Sequence, residues 1–204
     1  MCFYFVYLPL NRNFAHQKVE NLLMKSQTEN PIYSHNTLEF VTVSAEFCAY
    51  LEQLEGKNRH EFIETMQKLL PLLYLKALLL PQVESEGDFL PDDQVTEADY
   101  NWIRNAIYQI MKEADEYEDL VYDQDMQTEE SQWKTISEGL ADMYQALRNF
   151  VSAYQQRVED CMLDALWCVR DNFELYWGQN LVDTLKQLHK IRYVLNSGSD
   201  EEDL

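Results

Sequence analysis

Residues 58–81 read NRHEFIETMQKLLPLLYLKALLLP, and this stretch decides the fold class. Asn58 with Glu61 three residues later is a capping-box start, after which Phe62, Met66, Leu69 and Leu73 recur at helical spacing. From Leu69 to Leu80 eight of twelve residues are leucine and Lys76 is the sole charge. A block this apolar on nearly every side calls for neighbouring helices to cover it. The reading is an all-α, single-domain bundle of five to six helices around this leucine-rich central helix. Pro71, inside the helix, removes one hydrogen bond and crowds the carbonyl of Gln67, which predicts a kink. Lys76 either reaches the bundle end on its aliphatic stem or pairs with a carboxylate in a pocket.

Working outward, the helix before the block is predicted to start at Asn36, where N-T-L-E places Glu39 three residues after a capping side chain. Phe40, Val43, Phe47, Leu51 and Leu54 form its inward stripe, and Gly56 ends it. The short link to Asn58 makes the two helices antiparallel neighbours. After the block, residues 81–95 (PQVESEGDFLPDDQV) read as an acidic linker bounded by prolines. Thr96 with Asp99 opens a third helix carrying Tyr100, Ile103, Ile107, Ile110 and Ala114 inward. Trp102 falls about 130° from the centre of that stripe and is therefore a candidate exposed aromatic.

Thr128 is predicted to cap a long apolar-periodic segment that runs from Ile136 to Tyr176. One helix over 129–177 would be about 73 Å long, against a radius of gyration near ~16 Å for a compact domain of this size. The segment is therefore split near Gln155 to Arg157, its most polar point. Gly139 lies near the stripe, where a missing side chain lets another helix come close. A final helix follows Trp177-Gly178, with Leu181, Leu185, Leu188 and Leu195 on its apolar side. The bundle domain is bounded at 36–195. Residues 1–35 are an N-terminal extension, with Met24 read as the true start, and 196–204 an acidic disordered tail.

Charge narrows the function. The chain carries 16 Lys and Arg against 36 Asp and Glu, a formal charge of −20. Such a surface repels phosphate backbones and anionic lipids, so nucleic acid and membrane are excluded as direct ligands. The run MCFYFVYLPL at the N-terminus is too short to span a bilayer, which needs about 20 apolar residues. Cys2, Cys48, Cys161 and Cys168 show no metal or redox spacing and are read as reduced thiols of a cytoplasmic protein. A basic protein partner suits the charge.

Nine acids and no Lys or Arg fall between Glu113 and Glu130. The spacing Glu113-x-x-Glu116-x-x-Asp119 would align three carboxylates along the end of the third helix, where carboxylates can hold Mg²⁺ against a nucleotide phosphate. This resembles part of the metal-binding pattern of all-helical nucleotide pyrophosphohydrolases of the MazG type. Those enzymes need a second acidic pair in the same cleft, and the substitutes here, Glu138 and Asp142, lie far from the inward centre of their helix. An EF-hand opening at Asp123 fails at Thr128 and Lys134, and the four histidines lack the spacing of a di-iron centre. Trp102, Tyr117 and Tyr122, set among acids, are candidate anchors for a basic partner.

Four stretches, FVTVSAEFCAYLE at 40–52, LLLP at 78–81, SEGLADMYQALRNF at 137–150 and DALWCVRDNFELYWGQNLV at 164–182, resemble an uncharacterised family of bacterial all-helical domains of unknown function. The resemblance implies a compact helical domain of bacterial origin and no assigned ligand. The expected function is a non-enzymatic, acidic interaction or accessory module without a cofactor. The alternative is a Mg²⁺-dependent, pyrophosphohydrolase-like enzyme using Glu113, Glu116 and Asp119.

Overall fold

A computed structural model describes residues 30–84, 94–123 and 128–195, the side chains of 120–123, 128–130 and 195 excepted. The apolar run at the N-terminus, the proposed start at Met24, most of the acidic linker and the acidic tail lie outside the described residues.

The described chain is predominantly helical, in one domain. A 3₁₀ turn, Pro31–Tyr33, leads into α1 (His35–Leu51) and α2 (Arg59–Leu78); α3 spans Glu97–Met111. Strands β1 (Glu116–Asp123) and β2 (Thr128–Thr135) form an antiparallel pair, followed by α4 (Ile136–Gln155), α5 (Glu159–Asn172) and α6 (Gly178–Lys190). A π-helical turn, Phe173–Trp177, joins α5 to α6 without a break, and a second, Ile191–Leu195, extends α6. No helix among the described residues is long and apolar enough to cross a membrane.

The helix at the centre is α4, which packs against α1, α3, α5 and α6, whereas α2 packs chiefly on α1 and α6. This corrects the reading of the leucine block as the middle of the bundle. Helix α2 buries six residues and α4 buries ten, among them Ser137, Ala141 and Ala153. Small residues let several helices approach one axis, while a run of leucines fills one side and leaves the rest uncovered. Leu75 and Leu78 are accordingly 51% and 59% exposed. Gly139 shows the same principle at one position. A Cβ there would stand 2.9 Å from Thr184 Oγ1 of α6, so the close approach expected from the sequence is present.

The core brings together Phe40, Phe150, Phe173 and Trp177, with Trp177 stacked on Phe40 at 6.3 Å and its indole N–H donating to the Val169 carbonyl at 3.0 Å. Buried indoles need such a partner. Cys48 is buried here and its thiol is pushed up to about 12 by desolvation, while Cys161 and Cys168 are free thiols.

Local signals held at some helix ends and failed at others. Asn58 accepts from the Glu61 N–H at 2.9 Å, and Thr96 with Asp99 forms a complete capping box. Helix α1 starts earlier than Asn36: Ser34 caps it by accepting from Thr37 N–H, directly after the 3₁₀ turn whose Ile32 is buried. Glu39, freed from capping, pairs with Lys76 at 2.7 Å and with His35 at 3.3 Å. That ion pair is where the Lys76 ammonium goes, and it holds the Glu39 carboxyl below its ordinary value. α1 stops at Leu51, and Gly56, at φ 77°, makes the turn beyond it. Pro71 is exposed and α2 runs through it uninterrupted. The long segment divides where its polarity predicts, with α4 ending at Gln155 and Arg157 at φ 59°, but it does not divide at Trp177-Gly178.

Candidate functional site

Of the exposed tryptophans Trp102, Trp133 and Trp167, the first two lie on α3 and on the hairpin that follows it. The third helix stops at Met111, followed by a 3₁₀ turn, Lys112–Ala114. Lys112 sits at φ 50°, an uncommon conformation for a residue with a side chain. Asp115, 1% exposed, then accepts from the Ser137 N–H at 2.8 Å and the Ser137 hydroxyl at 2.6 Å, and its carbonyl accepts from the Ile136 N–H. A side chain outside the helix thus satisfies orphan donors of the first turn of α4. Burial raises the Asp115 carboxyl, opposed by its hydrogen bonds to Ser137. Thr135, at the end of β2, caps the same helix through the Glu138 N–H, so Thr128 is a strand residue and not a cap.

The segment predicted to continue α3 is therefore a hairpin arm, and the three carboxylates diverge. Glu113, in the 3₁₀ turn, lies 3.6 Å from Arg59 and is 87% exposed. Glu116 is exposed on β1. Asp119 faces the bundle, bonded to Lys134 at 2.9 Å, with Lys186 at 3.5 Å. A three-residue spacing aligns side chains on a helix but puts neighbours on opposite faces of a strand. Asp142 accepts from the Tyr100 hydroxyl at 2.8 Å and the Asn180 amide at 3.1 Å, and Glu138 is exposed in the first turn of α4. Among the described residues no three His, Cys, Asp or Glu side chains are grouped to hold a metal ion.

Strand alternation sorts the hairpin into two faces. On the inner face are Tyr117, opposite Lys134, and Asp119. Lys134 bridges Asp119 and, at 3.0 Å, Asp183 of α6, which also accepts from Gln179. Burial opposes the charge on Lys134, but the two carboxylates outweigh it and raise its value; the same bond lowers Asp119. Tyr117 packs on the core, its hydroxyl pushed up to about 12 by burial. The candidate anchor Tyr117 is thus turned inward. On the outer face, Glu118 stands opposite Trp133, which is 73% exposed, and accepts from the Ser131 hydroxyl. Tyr122 pairs with Glu129 in the register, and its side chain lies outside the described residues.

Trp102, 55% exposed on α3, occupies the second surface. It stands between two concavities. One, of about 400 Å³, is lined by Glu52, Asp99, Tyr144 and Arg148 among others, with Arg148 and the Tyr144 hydroxyl both on Glu52. The other, of about 670 Å³, lies between the α1–α2 turn and α3, with Leu54, Ala106 and Ile110 as apolar lining and Lys57, Arg59 and Lys112 around it. Arg59 Nε donates to the Ile110 carbonyl at 3.3 Å and so fixes the start of α2 against the end of α3.

The model of the domain of unknown function DUF5063 matches residues 31–194. The chain belongs to this family. The match runs from the 3₁₀ turn before α1 to the last turns after α6 and includes the hairpin and both concavities beside Trp102. The DUF5063 domain described here is similar to the crystal structure of protein BF1032 from Bacteroides fragilis, at 41% identity and a TM-score of 0.72, over 81% of this chain and 97% of that one. No curated protein matches.

The residues that organise the hairpin, Asp115, Lys134 and Asp183, escaped the sequence reading. The period of two in Glu116, Tyr117, Glu118 and Asp119 was the available signal, and acidity across both phases masked it.

Proposed function

We propose that this DUF5063 domain is a non-enzymatic interaction module whose hairpin offers an acidic, tryptophan-bearing face to a basic protein segment. One observation carries the reading: Glu116, Glu118 and Trp133 are exposed together on the outer face, while the inner face is spent on docking the hairpin to α6 through Lys134. Carboxylates at the rim steer a cationic partner and an aromatic anchor supplies contact area. The divergence of Glu113, Glu116 and Asp119 supports this reading over the Mg²⁺-dependent hydrolase. A cytoplasmic setting and a bacterial source belong to the same proposal.

The test is titration of the full chain with a short fluorescent peptide of alternating Lys and Leu, followed by anisotropy at low and physiological salt. Binding is expected to weaken with salt and to fall roughly tenfold in Glu118→Lys combined with Trp133→Ala. Equal binding by that variant and the parent chain overturns the proposal.

A further inference from the structure

We infer that the groove between the α1–α2 turn and α3 is a second recognition site, selective for an acidic peptide segment of a partner protein and anchored on Trp102. The inference stands apart from the hairpin reading, because it uses other residues and the opposite charge.

Charge is the first argument. Lys57, Arg59 and Lys112 meet at this groove with Glu55 as the one acid in its lining, in a chain where acids outnumber Lys and Arg 36 to 16. Two of the cations have outside partners, Glu61 on Lys57 at 3.2 Å and Glu113 on Arg59 at 3.6 Å. Both acids are more than half exposed, and ion pairs to such acids are weak, so an incoming carboxylate can replace them with little loss. Lys112 makes no ion pair among the described residues. It is also held at positive φ, a conformation uncommon for a residue with a side chain.

Shape is the second argument. The groove is about 670 Å³, and Trp102, Ala106 and Ile110 line one side of it from successive turns of α3. Leu54 adds to the apolar lining. An amphipathic segment with apolar residues one helical turn apart fits such a wall, with its acids at the cationic rim. Gly56, where an added Cβ would meet nothing within 4 Å, leaves the mouth open. Asn58 caps α2, and the Arg59 to Ile110 hydrogen bond joins the two helices, so the walls are tied together before a segment binds.

The experiment uses the full chain and two matched fluorescent peptide libraries, one alternating Asp or Glu with Leu or Phe, the other with Lys replacing every acid. The acidic library is expected to bind at the groove, with Trp102→Ala and Lys112→Glu each weakening it by roughly tenfold or more. Lys112 is exposed, so its variant tests the site without disturbing the Arg59 contact. Glu118→Lys with Trp133→Ala is expected to leave acidic binding unchanged. No binding of the acidic library, or binding indifferent to Trp102 and Lys112, overturns the inference. Residues 196–204 contain Asp200, Glu201, Glu202 and Asp203. Acidic binding that appears only in a chain ending at Leu195 would assign the groove to this chain's own acidic run and overturn the choice of a partner.

Discussion

The outer face of the hairpin and the groove beside α3 share an exposed tryptophan and differ in nearly everything else. Trp133 sits on a strand opposite Glu118, on an arm fastened to the bundle through the ion pairs Lys134–Asp183 and Lys186–Asp119 and through a buried aspartate. Trp102 sits on a helix capped at its start, between walls that belong to the bundle itself, with three cations along one side. Charge counted over the whole chain would put both aromatics in one acidic field. The tertiary structure separates them, because α3 stops at Met111 and sends the acids away on strands while the α1–α2 turn brings Lys57 and Arg59 to Trp102. Net charge describes solubility and steering, and local sign depends on which turns meet.

The largest effect is expected at the base of the arm. Asp115→Ala leaves the buried Ser137 N–H without a partner and its hydroxyl with only the 3.4 Å bond to Thr135, at a cost of about 2 kcal/mol. Thermal unfolding should show the loss, and amide exchange should place it in β1, β2 and the first turn of α4. If exchange rises equally around Trp102, the two surfaces form one unit and the contrast collapses.

Gly139→Val comes next. The new side chain must push Thr184 and therefore α6, at a cost of about 2 kcal/mol. Since α6 carries Asp183, the hairpin should loosen while the groove keeps its acidic-peptide affinity. Loss of both activities would show that α4 transmits to α3 as strongly as to α6.

Lys134→Ala leaves Asp183 without its cation and Asp119 with Lys186 alone at 3.5 Å, and is expected to cost about 1 kcal/mol. The pH dependence has a definite sign. Asp119 is depressed in the folded chain by its bond to Lys134, so this contribution is fully present above the ordinary carboxylate value of about 3.9 and is lost as pH falls through the lower folded value. Asp115 is raised by burial and acts oppositely, its protonation favouring the folded state. Unfolding of Asp119→Asn compared with the parent chain between pH 2 and about 5 isolates the first effect. A stability difference that stays constant across that range would remove Asp119 from the docking.

The smallest effects should be on stability at the tryptophans themselves. Trp102→Ala and Trp133→Ala are each expected to change unfolding free energy by no more than about 0.5 kcal/mol, as at surface sites free of structural duty. A loss above about 1 kcal/mol at Trp102 would make it a packing residue and weaken its role as an anchor.

What the amino-acid sequence determined by itself was local and periodic. The spacing of Phe40 to Leu51, of Ile103 to Ile107 and of Leu140 to Phe150 selects helices and their buried sides, since a 3.6-residue period exposes one stripe to the core whatever lies opposite. Thr96 with Asp99 and Asn58 with Glu61 mark helix starts because the cap is made within four residues. The exposed position of Trp102 and the close approach at Gly139 follow from the same angles. Tertiary structure decided the rest. Leucine content could not say which helix is central, because centrality depends on how many partners an axis admits, and small residues on α4 admit more than the leucines of α2. Spacing could not tell a helix from a strand in the acidic segment, because acids occupy both faces and the choice rests on Asp115 reaching Ser137 and Lys134 reaching Asp183, 49 residues away. The cationic groove rests on the same kind of contact. Lys57 and Lys112 are far apart along the chain, and only the packing of α2's first turn against the end of α3 makes them neighbours.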